Sequence, residues 1–266
     1  MDNRPIGIFD SGVGGLTVLG DIVKELPNES IIYIGDSRNT PYGARSEEEI
    51  YLLSKKLVEF LLEKKVKLIV IACNTITVSC LDKLRSNYPD IPIIGTVPVV
   101  KMAASFSKTK RIAILSSTRT AKSAYQKKLI RTFASGCTVF NEGTDTLVPL
   151  VEKGRLEGKE ITNALREVLV GIKKEHIDTL ALGCTHFPFL RQQMQQILGP
   201  DIRLLDSGGA IARQVRRVIT QNDVCVTKDE GTVAIFTTGN MQIVKKLAHM
   251  TIKGKHFSLH EANLED

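Results

Sequence analysis

The chain has 266 residues, 42% of them hydrophobic and 24% charged, a composition typical of a globular protein with two lobes or one large α/β domain. Its longest apolar stretches, such as 68–72, are too short to span a bilayer, so we expect no membrane association. No secretory leader follows Met1, and the five cysteines include no C-x-x-C pair. Together these features predict reduced thiols in a cytoplasmic protein.

The formal net charge of +7 does not by itself indicate a nucleic-acid partner. Basic residues between positions 47 and 67, Lys67 among them, are interleaved with Glu, a pattern typical of a solvated face. Aromatic residues make up only 5% of the chain and Trp is absent, so base stacking is poorly supported. A net positive charge of this size would attract small anions in general, so it does not indicate which anion binds.

Strand and helix signals alternate along the first part of the chain. Apolar residues at helical spacing predict the first helix, and Ser46 with Glu49 forms a capping box that opens the second. The predicted strands lie at 5–9, 31–34, 68–72 and 92–97, and the predicted helices at 13–26, 46–64 and 77–87.

The same alternation continues to the end of the chain. The predicted strands lie at 111–115, 137–140, 179–182, 202–205 and 232–236, and the predicted helices at 120–134, 145–152, 159–175, 210–220 and 241–249. This rhythm predicts an α/β fold of two similar lobes, each a mostly parallel sheet flanked by helices, with the active site in the cleft between them. We expect residues 1–97 plus 207–266 to form the first lobe, and 98–206 the second. We infer that the chain returns to the first lobe near residue 207, because Asp206-Ser207-Gly208 repeats Asp10-Ser11-Gly12.

Two segments, 68–75 and 179–186, resemble each other. Each reads as a buried strand that leads into a cysteine and then into small polar side chains, where a helix should begin. Ligands of open α/β sheets bind at the carboxyl ends of strands, so Cys73 and Cys184 could face one ligand from two sides. Such a pair suits a reaction that removes a proton from one face of a carbon and returns it to the other. Each could instead be a buried core cysteine, but the repeated context favours function. Cys80, Cys137 and Cys225 lack this context and are predicted to be structural.

The glycine-rich stretch 10–16 matches neither common nucleotide motif. Thr17 stands where a dinucleotide fingerprint needs Gly, and Val13 where a P-loop needs Lys. What remains is a tight turn before a helix N-terminus, which either binds an anion such as a carboxylate or is purely structural. Asp10 and Ser11 are the candidate functional residues. We expect no metal, because the only soft ligands in these motifs lack a zinc spacing.

Four blocks of sequence together resemble the bacterial glutamate racemases of the aspartate/glutamate racemase family. They lie, in order, at 8–15, 33–43, 71–75 and 182–188, and the similarity covers nearly the whole chain. Ser37 departs from the family, which commonly has Thr there. The segment 95–100 also departs, since many members carry an acidic residue and Pro-Gly at that point.

The resemblance implies cofactor-independent interconversion of L- and D-glutamate, which supplies D-glutamate for peptidoglycan, by a homodimer. It makes Cys73 and Cys184 the two bases, places Asp10 beside Cys73 and His186 beside Cys184, and makes Asp36 and Glu152 helpers. The substrate contacts it implies are Asp10, Ser11, Pro41, Tyr42, Gly43, Asn74, Thr75, Thr185 and His186.

Several alternatives stay open at this point. His186 could be a satisfied core histidine, Glu152 a solvated helix-end residue, and Tyr42 only a turn residue. The reaction could use aspartate or a hydantoin, although the first two blocks favour glutamate. A single-cysteine decarboxylase is excluded because both cysteines are present in context. A binding protein is the non-enzyme alternative, since some glutamate racemases act on DNA gyrase, and no residue here supports or opposes that role.

Overall fold

The computed structural model describes residues 2–96, 99–221 and 231–264. The chain divides into two compact units, the first formed by 1–96 and 208–266 and the second by 97–207. Val97, Pro98 and Cys225 lie outside the described residues, so the end of the strand expected at 92–97 is not described. No helix in the three described ranges has both the length and the apolar character needed to cross a membrane.

The described ranges contain ten strands and eleven α-helices. The strands are β1 (Ile6–Asp10), β2 (Ile31–Gly35), β3 (Leu68–Ile71), β4 (Ile93–Ile94), β5 (Arg111–Ser116), β6 (Thr138–Gly143), β7 (Thr179–Gly183), β8 (Arg203–Leu205), β9 (Val233–Thr237) and β10 (Ser258–Glu261). The helices are α1 (Leu16–Glu25), α2 (Glu47–Glu63), α3 (Asn74–Asn87), α4 (Val99–Phe106), α5 (Thr118–Lys122), α6 (Ala124–Phe133), α7 (Leu147–Glu152), α8 (Lys159–Lys174), α9 (Arg191–Leu198), α10 (Gly208–Gln221) and α11 (Met241–Thr251). Two short 3₁₀ helices lie at Tyr42–Ala44 and Phe187–Leu190.

The first unit contains a six-stranded sheet in the order β10-β9-β2-β1-β3-β4, in which every neighbouring pair is parallel. The neighbouring interior strands β1 and β3 are buried along their whole length, so they read in the sequence as continuous apolar runs. Asp10 pairs with Gly35, and Gly35 with Thr237. The carboxyl ends of β1, β2 and β9 therefore lie side by side at one edge of this sheet.

The second unit contains a four-stranded parallel sheet in the order β6-β5-β7-β8. Ser116 at the end of β5 pairs with Gly183 at the end of β7, so these two strands also finish together. The prediction of an α/β fold with two parallel sheets flanked by helices is confirmed.

Two α-helices and one strand of the structure lie outside the ranges predicted from the sequence. Helix α4 packs its apolar face into the core of the second unit, but it begins at Val99, next to the boundary expected between the two lobes. Helix α9 buries only Met194 and Leu198, too few apolar positions to give a clear period. Strand β10 is mostly exposed, and pairing with β9 and stacking of His260 on Phe236 hold it in place. The sequence signals of α9 and β10 are therefore weak.

Two predicted elements differ in their bounds, and one basic residue differs in its environment. The single helix expected at 120–134 is two helices, because Ser123 is extended, caps α6 and donates to the carbonyl of Thr120. Helix α3 begins at Asn74, with Cys73 at its N-cap, rather than at Thr77. The solvated face predicted for Lys67 is wrong. Its Nζ is buried 2.6 Å from Glu29 Oε2 and donates to the carbonyl of Asp2 at 3.0 Å.

The predicted capping box is present at the start of α2. Ser46 Oγ accepts from the backbone N–H of Glu49 at 3.2 Å, and Glu49 Oε2 accepts from the backbone N–H of Ser46 at 2.8 Å. Both bonds satisfy backbone donors that the first helical turn leaves without intrahelical partners.

Ser46→Ala should destabilise the protein by about 1 kcal/mol, because it removes the acceptor for a backbone donor at the helix start. Urea unfolding followed by far-UV circular dichroism measures the effect. Ser86→Ala is the matched control, since Ser86 is an exposed serine inside α3 of the same unit. An unfolding midpoint that Ser46→Ala leaves unchanged, or lowers no more than Ser86→Ala does, would contradict the stabilising role of this cap.

Candidate active site

Cys73 is the N-cap residue of α3, two positions after β3 ends, and is 5% exposed. The hydroxyl of Ser11 lies 3.4 Å from Cys73 Sγ and 3.5 Å from Asp10 Oδ1, so it connects the thiol with the carboxylate. Asp10 is fully buried at the end of β1. The structure thus brings together three of the residues that the sequence predicted for the site.

The glycine-rich turn after β1 is shaped by close packing around Asp10. The backbone N–H of Gly12 donates to Asp10 Oδ1 at 2.9 Å, and the Tyr33 hydroxyl donates to the carbonyl of Gly12. A Cβ at Gly15 would lie 2.6 Å from the Cβ of Asp10, so only glycine fits at the start of α1. The contact between Asp10 and the backbone N–H of Gly12 holds the turn in place, so the turn has a structural function.

Asp36 is the centre of a second polar cluster in the same unit. It is buried directly after β2 and accepts from the Tyr42 hydroxyl at 2.7 Å, the Thr238 hydroxyl at 2.8 Å and the side-chain amide of Asn39 at 2.9 and 3.1 Å. Burial, the neighbouring Asp36 carboxylate and the Cys73 thiol raise the pKa of Tyr42 far above its ordinary value. Tyr42 is therefore a neutral hydrogen-bond donor rather than a residue of a simple exposed turn.

Thr238 and Asn39 did not emerge from the sequence analysis. Thr238 is a polar residue directly after the apolar strand β9, which is the same kind of signal that singled out Asp10 and Cys73. Asn39 carried no comparable signal, because it lies in the polar loop between β2 and the short helix at 42–44.

The remaining predicted contacts of the first unit lie next to these clusters. Pro41 and Gly43 flank Tyr42 at the short helix, and Asn74 and Thr75 form the first turn of α3 directly after the thiol. Thr75 is buried, whereas Asn74 is half-buried. Their role as substrate contacts stays a prediction.

In the second unit, Cys184 directly follows β7 and is half-buried. Its Sγ lies 3.7 Å from His186 Nδ1, and His186 Nε2 lies 2.6 Å from Glu152 Oε1. The side chains of His186 and Glu152 are only 2% and 9% exposed. The alternative that Glu152 is an ordinary solvated residue is therefore wrong, and Cys184, His186 and Glu152 form one continuous row of interacting groups.

The electrostatic environment of His186 favours the imidazolium. Burial opposes the charged form, but the hydrogen bonds to Cys184 and Glu152 and the charges of both groups raise the pKa of His186 well above its ordinary value. A protonated imidazole beside Cys184 stabilises a thiolate there, which is the form of cysteine that acts as a base.

The two similar segments diverge after their cysteines. Cys73 is followed at once by α3, whereas Cys184 is followed by the buried Thr185 and then by the short helix at 187–190, with α9 beginning only at Arg191. This turn lets His186 reach back to the thiol. The helix expected directly after the second cysteine is therefore displaced.

Buried hydroxyl groups at the end of β5 were also missed. Ser116, Ser117 and Thr120 are all buried, and Ser116 pairs with Gly183, the residue before Cys184. Ser117 Oγ accepts from the backbone N–H of Thr120 and caps α5. The signal available in the sequence was the run Ser116-Ser117-Thr118 directly after an apolar strand. No three His, Cys, Asp or Glu side chains within the described ranges are grouped to hold a metal ion.

Comparison with known proteins agrees with these features. The model of the Asp/Glu/Hydantoin racemase family matches residues 8–215, and the chain belongs to this family of isomerases. Within it, the similarity is to glutamate racemases, as the sequence blocks predicted. The glutamate racemase of Clostridium novyi is 40% identical over 248 residues, covering 92% of this chain and 96% of that protein.

Solved structures extend the similarity to the fold. A glutamate racemase isoform of Bacillus anthracis superimposes with a TM-score of 0.89 at 32% identity, covering 99% of each chain. The glutamate racemase of Francisella tularensis, solved in complex with D-glutamate, gives a TM-score of 0.87 at 27% identity, covering 100% of this chain and 99% of the other.

The raised pKa of His186 gives a prediction about pH. Glu152→Gln should lower this pKa, because it removes one of the charges that favour the imidazolium. The pKa of His186 in the folded protein lies above that of a histidine in the unfolded chain, which is about 6.5. The protonated histidine therefore stabilises the fold fully below pH ~6.5. This contribution is lost as pH rises through the folded-state pKa.

Imidazole NMR titration of the wild type and of Glu152→Gln measures this pKa directly, and unfolding at several pH values measures the linked stability. Glu142→Gln is the control, because Glu142 is an exposed carboxylate of the same unit. A His186 pKa that stays unchanged in Glu152→Gln would contradict the assigned ion pair.

Proposed function

We propose that this protein interconverts L- and D-glutamate by a two-base mechanism in which Cys73 and Cys184 act on the same α-carbon without a cofactor. The observation that carries the proposal is a cysteine at a strand end in each unit, each in contact with a polar helper group. The similarity to glutamate racemases over nearly the whole chain supports glutamate as the substrate.

The chemistry requires removal of a weakly acidic Cα–H. One cysteine, as thiolate, takes the α-proton, while the other, as thiol, gives its proton to the opposite face of the carbanion. After one turnover the protonation states of the two thiols are exchanged, and they are restored either by proton exchange with solvent or by the reverse reaction. A free thiol has a pKa of about 8.5, so each cysteine needs a local group that favours the thiolate when it serves as base.

The two thiols receive this help in different ways. The imidazolium of His186, held by Glu152, serves Cys184. Cys73 has the N-terminus of the 14-residue helix α3 and the hydroxyl of Ser11, both of which favour negative charge. A carboxylate beside a thiol disfavours its ionisation, so we assign Asp10 to the substrate ammonium or to proton acceptance rather than to thiolate stabilisation.

Substrate binding completes the proposal. We assign the glutamate contacts to the groups next to the thiols: Ser11, Pro41, Tyr42, Gly43, Asn74, Thr75, Thr185 and His186. Backbone N–H groups and the hydroxyls of Thr75 and Thr185 serve as donors to the substrate carboxylates and stabilise the charge that develops when the α-proton leaves, whereas Tyr42, whose proton goes to Asp36, offers its oxygen lone pairs. Asp36 acts as a helper through Tyr42.

The family resemblance also supports the biological setting. The D-glutamate product serves peptidoglycan synthesis, and the reaction takes place in the cytoplasm in a homodimer. The free thiols of Cys73, Cys80, Cys137 and Cys184 are compatible with a reducing compartment.

Purified protein given L-glutamate should drive optical rotation to zero as equal amounts of the two enantiomers form. Activity should survive exhaustive treatment with EDTA and with hydroxylamine, because no metal and no Schiff base takes part. L-Aspartate offered in parallel tests the related substrate, and we expect slower turnover. Loss of activity that zinc or pyridoxal phosphate restores would contradict the mechanism, and racemisation of aspartate alone would contradict the substrate.

Cys73→Ala and Cys184→Ala should each lower racemisation at least about 100-fold, because each removes one of two obligatory acid–base groups. Far-UV circular dichroism should be unchanged. Cys137→Ala is the matched control, since this half-buried thiol packs against the core of the second unit and lies at the amino end of β6, whereas Cys73 and Cys184 follow the carboxyl ends of their strands. Near wild-type turnover in either active-site variant would exclude the two-thiol mechanism.

A further inference from the structure

We propose that Thr238 is a positioning residue for the half of the reaction carried out by Cys73. The inference rests on the proposed function and extends it to a residue in the last part of the chain. Thr238 follows β9 directly and lies 202 positions after Asp36, the carboxylate that it contacts. It is buried, so water does not compete freely for its hydroxyl.

The two hydrogen bonds of the Thr238 hydroxyl fix the direction of its proton. The backbone N–H of Arg38 donates to Thr238 Oγ1 at 2.9 Å, which uses the oxygen as an acceptor. The hydroxyl has one proton, and the nearby Asp36 Oδ1 at 2.8 Å accepts it. Thr238 therefore acts as a dedicated donor to the Asp36 carboxylate.

The backbone around Thr238 holds this donor in place. Its N–H donates to the carbonyl of Gly35 at 3.1 Å, and Gly35 pairs with Thr237 in the sheet. A Cβ at Gly239 would lie 2.4 Å from the Cβ of Ser37, so the segment packs closely against the loop after β2. The position of the Thr238 side chain is thus set by strand pairing rather than by a flexible loop.

The Asp36 carboxylate transmits this constraint to Tyr42. Oδ1 accepts from Thr238, and Oδ2 accepts from the Tyr42 hydroxyl at 2.7 Å, so donors hold both oxygens and the group cannot rotate freely. The single phenolic proton of Tyr42 is committed to Asp36. The Tyr42 oxygen therefore offers only its lone pairs to any other group.

Tyr42 in turn lies in the surroundings of the reactive thiol. Tyr42 and Cys73 belong to the same buried cluster, and the charge of Cys73 contributes to the raised pKa of Tyr42. Loss of the Thr238 donor should allow the carboxylate to turn and the phenol to shift beside Cys73. Small displacements of positioning groups slow reactions strongly, because reacting groups need near-attack geometry.

Thr238→Val tests the inference, because Val has the same shape and lacks the hydroxyl. The measurements are kcat and KM in both directions, the α-deuterium isotope effects on kcat/KM for D- and L-glutamate, and Tm. We expect kcat/KM to fall about tenfold in both directions equally, as the equilibrium constant requires. The isotope effect should rise for the enantiomer that Cys73 deprotonates, which we assign as D-glutamate, and fall for the other. Thr238→Ser should restore wild-type behaviour.

Three reference variants make the result decisive. Asp10→Asn should shift the isotope effects in the same sense as Thr238→Val, and His186→Asn in the opposite sense. Thr232→Val is the matched control, since this exposed threonine lies directly before β9, at its opposite end, and its hydroxyl bonds to Ser30, so the kinetics should stay unchanged.

The inference is overturned if Thr238→Val has wild-type kinetics, if it lowers only Tm, or if its rates fall while both isotope effects stay unchanged. It is also overturned if the isotope effects shift in the sense of His186→Asn. A wild-type protein that fails to racemise glutamate would count against the proposed function itself, so the two failures are distinguishable.

Discussion

Parallel strand pairing is the constraint on which the candidate site depends in each unit. Because all neighbouring strands run in one direction, their carboxyl ends meet at one edge of the sheet, and short loops leave that edge together. Asp10 is the last residue of β1, and Asp36 and Thr238 directly follow the adjacent strands β2 and β9, although more than half of the chain separates Thr238 from the other two. In the second unit the same rule places Ser116 beside the strand that carries Cys184.

The two thiols share this position but differ in their electrostatic surroundings. Cys184 has a buried cation as its partner, and the charge of that cation is maintained by Glu152. Cys73 lies among neutral hydroxyl groups and a helix N-terminus, with buried carboxylates at Asp10 and Asp36. In the mechanism that we propose, a reaction that is symmetric in its chemistry is served by two different arrangements for stabilising a thiolate, and of these two the one at Cys184 depends on a histidine that titrates.

The sequence predicted most of the fold, because buried parallel strands and amphipathic helices leave strong periodic signals. It failed where stability comes from contacts that the local pattern does not encode. Strand β10 is held by its pairing with β9, and α9 has few apolar positions. The break between α5 and α6 at Ser123 depends on a hydroxyl that bonds to the backbone. Lys67 looked like a surface residue, because a sequence cannot reveal that Glu29 is buried beside it.

The residues of the candidate site also divide into those that the sequence could reveal and those that it could not. Asp10, Cys73, Cys184 and His186 could be found because each follows an apolar strand within a recognisable block of sequence. The contact of Glu152 with His186 could be expected only from the family resemblance, since a glutamate at a helix end is usually solvated. Thr238 could not be connected with Asp36 at all, because only the pairing of β2 with β9 brings them together.

The chain order of the two units has a consequence for biosynthesis. The second unit is continuous, whereas the first is interrupted and takes β9 and β10 from the last part of the chain. As the polypeptide leaves the ribosome, residues 97–207 can fold as a whole while β2 still exposes an unpaired edge. An exposed edge strand is a site for wrong pairing, so the time between synthesis of β2 and synthesis of β9 is the interval in which the first unit is open to it.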